Sequence, residues 1–312
     1  MPDICVWNKC NNKCIMCTNP EEFQKDDNSP DYTFDRVLER LEKDKDYYEK
    51  SGDSITLTGG EPTIHPRFID IITRIRKDFP INRMMIASNG RRFCYTPFVD
   101  ATSRVNSITW EIAIHGPNSA VHDAVTRVPG SFNQTVDGII NLLNRKNPSH
   151  EIEIRVIILK QNYKILSEIC DFIHEKFPGI DRVVLIYQEI EGVCEDNIKL
   201  VNVTHEEVRK PVEETAEKWG EVFPDFRLYH FPLCTISPRF WKYVWRTLRG
   251  EEVFHPLLCD ECLYKEYCLG IHHGYHELIG IKEFQPIKKK MKLEINDNHY
   301  YHPILGVEGD ED

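Results

Sequence analysis

Along the first two-thirds of the chain, short apolar runs take turns with stretches whose apolar residues recur every three or four positions. Ile4 to Asn8 reads as a strand, and Phe34, Val37, Leu38 and Leu41 recur at helical spacing among charges. That spacing predicts a helix over Thr33 to Lys50 with Thr33 as N-cap. The same two periods give strands over Ser54 to Thr58, Arg83 to Ala87, Ser107 to His115, Ile152 to Leu159 and Arg182 to Tyr187. Helices are predicted over Pro66 to Phe79, Thr96 to Ser103, Phe132 to Arg145 and Leu166 to Lys176. Strands alternating with helices in this way build a parallel sheet from βαβ units, so the fold class is α/β.

The strands carry a second pattern. A parallel strand covered on both faces is apolar almost throughout. Here Thr109, Glu111, Ala113 and His115 share one face of their strand, opposite Ile108, Trp110, Ile112 and Ile114. Glu151, Glu153 and Arg155 oppose Ile152, Ile154, Val156 and Ile158, and Ser54, Thr56 and Thr58 oppose Ile55 and Leu57. A curved sheet whose concave face lines a wet, ligand-binding cavity accounts for this. A buried ion network among Glu111, Glu153 and Arg155 is the other reading. The turn motifs follow the carboxyl ends of strands, where α/β sheets and barrels place their sites.

Past Tyr187 the alternation stops. Glu189 to Val203 reads as a loop, and Glu206 to Trp219 as a helix with Pro211 in its first turn. Phe226 to Phe231 reads as a short strand, and Arg239 to Leu248 as a helical, aromatic-rich segment. The tail, from Lys288 to Lys290 and on to the acidic Glu308 to Asp312, is expected to fray. There is no repeat and no long linker, so the chain divides into a main α/β part over residues 1–200 and a cysteine-rich appendage over residues 201–312.

Composition narrows the function. Of the 312 residues, 41% are apolar, enough for a large core, while 29% are charged and the net charge is −11. That balance disfavours nucleic acid as a partner, because surfaces that bind phosphate backbones are basic. No apolar stretch is long enough to span a membrane. The opening Met-Pro-Asp-Ile-Cys carries no signal peptide, and no separate peptide-binding domain is expected ahead of the first strand. Eleven cysteines without an export signal point to a reducing cytoplasm, with the thiols used for metal or catalysis rather than disulfides.

Two groups of cysteines stand out. Cys10, Cys14 and Cys17 form a C-x₃-C-x₂-C cluster in the loop after the first strand, with no fourth cysteine near. Three such thiolates suit one face of an iron–sulfur cube with one iron left open, or a zinc site with a remote fourth ligand. Cys259, Cys262 and Cys268, with Cys234 as a fourth member, make a closed set that suits zinc or a second cluster. Cys5, Cys94, Cys170 and Cys194 read as ordinary thiols, and His115 and His122 as groups that cap or fill. Gly59-Gly60-Glu61-Pro62 follows the second strand directly; its glycines let backbone approach a ligand, and its carboxylate suits an ammonium group. Ser88-Asn89-Gly90 ends the third strand, and Asn-Gly is also a common turn.

Taken together, these motifs resemble the radical S-adenosylmethionine (SAM) superfamily over about residues 3–190. The resemblance implies a partial (β/α)₆ TIM-like barrel, a [4Fe–4S] cluster on Cys10, Cys14 and Cys17, and SAM bound at the open iron. It places Gly59, Gly60, Glu61 and Pro62 at the methionyl amino group and Ser88 and Asn89 at the ribose. It places Arg155 at the SAM carboxylate and Asn162 near the adenine, with Glu111, His115 and Glu153 on the face that holds SAM and substrate. Met16 stands where an aromatic residue often packs. The second cysteine group resembles the twitch domain, a shortened SPASM domain, which implies one auxiliary [4Fe–4S] cluster on Cys234, Cys259, Cys262 and Cys268. His272 stands where a full SPASM pattern has a further cysteine. Ser88-Asn-Gly-Arg-Arg-Phe93, His122-Asp123, Gly130-Ser-Phe132 and Glu153-Ile-Arg-Val156 are similar to words in radical SAM proteins associated with His-Xaa-Ser repeat peptides.

What the resemblance implies is an enzyme that cleaves SAM reductively to a 5′-deoxyadenosyl radical and abstracts hydrogen from a substrate. A ribosomally made peptide, oxidised or crosslinked, is the expected substrate, and a flavodoxin or ferredoxin the expected electron donor. A small-molecule dehydrogenase or rearrangement enzyme, and a non-catalytic zinc protein, are the alternatives.

Overall fold

In the computed structural model, which describes residues 3–308 except 26, 28 and 298, eight strands lie side by side in chain order, all parallel. They are β1 (Asp3–Trp7), β2 (Ile55–Gly59), β3 (Met84–Ser88), β4 (Ile108–Ala113), β5 (Glu151–Ile158), β6 (Arg182–Tyr187), β7 (Phe226–Tyr229) and β8 (Val244–Trp245). No pairing joins β1 to β8 among the described residues, so the sheet is open, as a partial barrel is. β7 is the short strand expected over Phe226 to Phe231, and β8 is a further strand; both lie past residue 200 and extend the parallel sheet.

β8 corrects the helix expected over Arg239 to Leu248. Pro238–Tyr243 makes only a 3₁₀ turn before the chain extends into the sheet. Tertiary bonds decide this local choice: the indole N–H of Trp241 donates to the carbonyls of Leu233 (3.0 Å) and Ile236 (3.1 Å).

Other elements depart from their expected spans for local reasons. Thr33 caps its helix as expected, but the helix breaks at Asp44 into Phe34–Lys43 and Lys45–Ser51. The segment expected as a loop after Glu189 contains two short helices, Val193–Asp196 and Ile198–Val201. Pro211 lies in the second turn of helix His205–Trp219, because the Thr204–Glu207 capping box sets the start of that helix. Helix Ser119–Thr126 is an addition, begun by the Asn118 side chain, which accepts from the Val121 N–H at 3.1 Å. At eight residues it is too short to show a period.

The cysteine-rich part is built of small pieces. β9 (Val253–Phe254) pairs antiparallel with β10 (Ile271–His272), and β11 (Lys292–Ile295) with β12 (Ile304–Glu308). Lys288–Lys290 does not fray. Lys288 pairs with Glu261 at 2.5 Å, and the Met291 N–H donates to the Tyr264 hydroxyl at 2.5 Å. Residues 309–312 lie outside the described residues.

The sheet separates its faces as the strand pattern predicts. Ile4, Val6, Ile55, Leu57, Ile108, Trp110, Ile112, Ile152 and Ile154 are buried in the main core. Each contributes about 1.5–3 kcal/mol through burial. The opposite face is polar across β4 and β5, where Glu111 registers with Glu153 and Ala113 with Arg155. Towards β8 the same face turns apolar, with Val184, Ile186 and Tyr229 packed against Ile157 and Trp245.

Candidate active site

The loop that leaves β1 carries Cys10, Cys14 and Cys17, all free thiols. Backbone pairing pins it from both sides: Lys13 N–H donates to the Thr126 carbonyl (2.9 Å) and Ile15 N–H to that of Val125 (3.0 Å). The short helices after β6 cover it, with Cys194 N–H donating to the Cys17 carbonyl (3.0 Å) and the Asn197 amide to that of Ile15 (3.0 Å). Held this way, the sulfurs sit close enough that Cys17 raises the pKa of Cys10, and both raise that of Cys14. Burial pushes Cys10 up to about 12, with Glu61 adding to it, and raises Cys14 and Cys17 in the same direction. Without a cation the three are neutral thiols, and any metal that binds displaces their protons.

Glu61 is the hub beside this loop, 1% exposed. Its Oε1 accepts from the Thr63 N–H (3.1 Å), the Thr63 hydroxyl (2.5 Å) and the Ser88 hydroxyl (2.8 Å), and its Oε2 accepts from the Asn89 N–H (2.7 Å). One carboxylate thus ties the turn after β2 to the turn after β3. The glycines before it allow close approach to the cysteine strand. Gly60 N–H donates to the Trp7 carbonyl at 2.7 Å, and a Cβ on Gly60 would lie 2.4 Å from the Lys9 carbonyl oxygen. Gly59 adopts φ +133, and a Cβ there would lie 2.4 Å from the Trp7 carbonyl oxygen.

Asn89 faces the cysteine loop. Its Nδ2 donates to Asn11 Oδ1 at 2.6 Å and lies 3.9 Å from Cys10 Sγ. Arg91 completes the clamp: Nη1 donates to Asn12 Oδ1 (2.7 Å) and to the Asn11 carbonyl, and Nε to Gln134 (2.8 Å). The motif words contain Arg91, Asn11 and Asn12 without marking their role. The signal that could have found them is an arginine directly after a turn that faces a loop rich in carbonyls.

On the polar face, Arg155 bridges Glu153 (2.5 Å through Nε) and Glu111 (through Nη2). Glu153 also accepts from Arg182 (2.8 Å), which reaches Asp225 (2.6 Å). The ion network and the polar strand face are therefore the same residues. Glu111 Oε2 is buried with no partner, and burial raises its carboxyl pKa while Arg155 opposes the rise. Asn162 is buried, its amide donating to the carbonyls of His115 (3.0 Å) and Ile157 (2.9 Å) and its Oδ1 accepting from Leu159 N–H (2.8 Å). Both amide hydrogens are thus engaged by backbone. His115 and His122 stack 5.4 Å apart, and the His115 N–H donates to His122 Nδ1 at 3.2 Å. Burial lowers the pKa of both rings.

In the C-terminal part, Cys234 senses the charges of Cys259, Cys262 and Cys268, so the four thiols face one another. The Leu233 N–H donates to Cys268 Sγ at 3.4 Å. Cys262 and Cys268 also line a surface cavity of about 550 Å³.

The radical SAM superfamily profile matches residues 4–173, more than half of the chain. The chain belongs to the radical SAM superfamily. Curated radical SAM relatives include GTP 3′,8-cyclase of Petrotoga mobilis, 23% identical over 161 residues, covering 50% of this chain and 46% of that protein. Pyruvate formate-lyase-activating enzyme of Staphylococcus epidermidis is 31% identical over 81 residues, covering 26% of this chain and 32% of that protein. The chain spans about half or less of the length of these relatives. Among solved structures, Streptococcus suis SuiB bound to precursor peptide SuiA superposes with a TM-score of 0.57 at 15% identity, over 72% of this chain and 48% of that one. Native anSMEcpe with bound AdoMet and Kp18Cys peptide gives 0.52 at 13% identity, over 90% and 83%. These likenesses confirm the fold.

Radical SAM enzymes use a [4Fe–4S] cluster and SAM, and the residues present fit that pair. The donor set beside Glu61 is three half-buried thiols with a turn next to it whose Asn89 N–H is held by Glu61. Among the described residues no three Cys, His, Asp or Glu side chains close around a single metal ion. A cube asks for something different, since it spreads its thiolates over separate irons.

Proposed function

We propose that this radical SAM enzyme modifies a ribosomally made peptide oxidatively, by crosslinking or dehydrogenation. The observation that carries the radical chemistry is the half-buried trio Cys10, Cys14 and Cys17 gathered in one loop and packed against the Glu61 hub. When bound there, the cluster and SAM supply a one-electron cleavage whose 5′-deoxyadenosyl product takes hydrogen from an inert C–H bond.

The chain's own residues bind, orient and exclude water. Cys10, Cys14 and Cys17 would hold the cluster through their thiolates. The turn Gly59–Gly60–Glu61–Pro62 offers backbone to the SAM ammonium, with Glu61 as its brace. Ser88 and Asn89 stand at the ribose. Arg155 bonds Glu153 through Nε and Glu111 through Nη2, with no hydrogen bond at Nη1 among the described residues, and is the cation for the SAM carboxylate. Asn162 acts on the adenine side through the loop it fixes rather than through its own N–H groups. In a twitch-like domain, Cys234, Cys259, Cys262 and Cys268 would hold an auxiliary [4Fe–4S] cluster, which would supply electron-transfer chemistry there. A flavodoxin or ferredoxin is the proposed donor, and the cytoplasm the proposed compartment.

Support for a peptide comes from the SuiB and anSMEcpe structures, whose bound partners are peptides. The GTP 3′,8-cyclase relatives support a small molecule instead. Reconstituted protein given SAM and dithionite, with candidate peptides or nucleotides added in turn, separates the two. 5′-Deoxyadenosine is expected, with its yield raised by peptide. No 5′-deoxyadenosine under any condition ends the radical reading, and a rise with a nucleotide alone ends the peptide one.

A further inference from the structure

Away from the cysteines, one small cavity gathers groups that the chemistry above does not use. It is about 10 Å³, room for one water-sized group, where β6 and β7 end against the β9–β10 pair. Tyr187, Gln188, Glu189, His205, His230 and His272 line it. Around it Gln188 Oε1, His205 Nδ1 and both ring nitrogens of His272 are buried without a hydrogen-bond partner. Gln188 and His205 are each 4% exposed, and the His272 side chain 10%. Buried polar groups are nearly always paired, so four orphan atoms on three lining residues mark a place for a partner.

The wall is rich in acceptors and short of cations. Glu189 stands at its edge, Oε1 3.5 Å from His230 Nδ1. That Nδ1 lies 3.0 Å from the Tyr187 carbonyl, so it carries the proton and donates, which leaves Nε2 as an acceptor. His230 holds φ +68, a strained conformation for a residue with a side chain, and so is fixed by its surroundings. Burial lowers His205 to about 3 and His230 to about 4, and lowers His272, so all three rings are neutral. Asp3, Glu191 and Glu252 add negative charge around Glu189, and Arg155 is the cation that faces it. Arg155 is already bridged to Glu111 and Glu153, and Arg249 answers Glu252 at 2.7 Å. Glu191 Oε1 lies 3.2 Å from His272 Nε2. Glu189 is left without a free counter-ion.

We propose that this cavity is a subsite for a primary ammonium group of the substrate, with Glu189 as counter-ion and Gln188 and the neutral histidines as hydrogen-bond acceptors. An ammonium offers three donors and no acceptor, which matches the wall. A water fills the space but leaves the carboxylate uncompensated. Arg155 acts electrostatically on both Glu189 and His230, so the subsite borders the polar strand face. Its use by substrate rests on the reading of that face given above. A lysine side chain and a peptide α-amino group share this chemistry.

Ligand-observed saturation-transfer NMR on the reconstituted full chain tests it with three probes at about pH 8: Nα-acetyl-lysine amide, alanine amide and Nα-acetyl-norleucine amide. Binding of the first marks a side-chain source, and of the second an α-amino source. The norleucine probe is expected to stay unbound. Glu189→Gln is expected to weaken binding about tenfold or more, and lowering the pH below about 7 to weaken it in the parent. Gln188→Leu, which leaves the charge in place, serves if the first variant does not fold, and is also expected to bind less. Equal binding of the norleucine probe, no binding of any probe at millimolar concentration, or unchanged binding in folded variants overturns the subsite. 5′-Deoxyadenosine formation from SAM and dithionite is read in parallel. Its absence with ammonium binding intact fails the radical reading alone, and the reverse fails the subsite alone.

Discussion

The backbone N–H of Asn89 donates to Oε2 of Glu61 at 2.7 Å, so the turn after β3 hangs from the turn after β2. With Ser88 and Thr63 on the other oxygen, every lone pair of this buried carboxylate that the fold uses faces a donor. Replacing Glu61 by Gln sets an NH₂ group against one of those donors. A buried donor left unsatisfied costs about 1–3 kcal/mol. The expected result for Glu61→Gln is a lower denaturation midpoint of that size and SAM binding weakened about tenfold. Equilibrium dialysis with SAM and a urea titration check it; parent-like values in both mean that the carboxylate is no brace.

Glu153 is completely buried between two arginines, Arg155 and Arg182. Both guanidiniums are mostly covered, 24% and 16% exposed. Removing the one charge they share leaves Arg155 only Glu111 and Arg182 mainly Asp225, so each buried guanidinium loses one of its carboxylates. Breaking a buried pair by removing one partner costs about 3–5 kcal/mol. Glu153→Gln is therefore expected to unfold at a clearly lower temperature, whereas Glu151→Gln, at the exposed end of the ladder, is expected to change stability by less than about 1 kcal/mol. Thermal denaturation of the two variants side by side decides it.

The sheet was legible because strand period and turn chemistry agree from Ile4 to Tyr187, and each expected strand lies within two residues of its observed span. The cysteine loop, Glu61 and Arg155 were legible as residues, but not as parts. That Arg155 is held by Glu111 and Glu153 follows from strand register, which puts Glu111 opposite Glu153 and which no single strand reveals. β8 was hidden because tertiary bonds from Trp241 override an aromatic segment of helical spacing. The Arg91 clamp was hidden because Asn11 and Asn12 lie some 80 residues away in sequence. The cavity of Gln188, His205, His230 and His272 draws on four separate segments, and no spacing rule joins them.

Glu189 gives a pH dependence with a definite sign. Burial, with Glu252 and Glu191 nearby, pushes its carboxyl up to about 7 in the folded chain, above the ordinary glutamate value. The folded state then binds the proton that the unfolded state has already released. The contribution to stability is fully present below about pH 4.3 and is lost as pH rises through about 7. Melting temperatures of the parent and of Glu189→Gln, measured from pH 5 to 8, are expected to converge at the acid end. The parent is expected to fall behind towards pH 8. A constant difference across that range means that Glu189 titrates as an ordinary exposed carboxylate.

The two cysteine sets are separate in the fold, one in the loop after β1 and the other beside the β9–β10 pair, so each is expected to hold its own iron. Replacing Cys10, Cys14 and Cys17 together by Ala is expected to leave about half of the iron and to abolish 5′-deoxyadenosine formation. Replacing Cys262 and Cys268 by Ala is expected to lower iron to about four per chain while SAM cleavage persists. The second variant carries more information, because it separates the auxiliary thiols from the radical-generating ones. Iron and sulfide analysis after anaerobic reconstitution reads the first quantity, and chromatography of 5′-deoxyadenosine the second. Unchanged iron in the Cys262 and Cys268 variant assigns those thiols, with Cys234 and Cys259, a role other than holding a cluster. Full activity in the triple variant removes Cys10, Cys14 and Cys17 from the chemistry altogether.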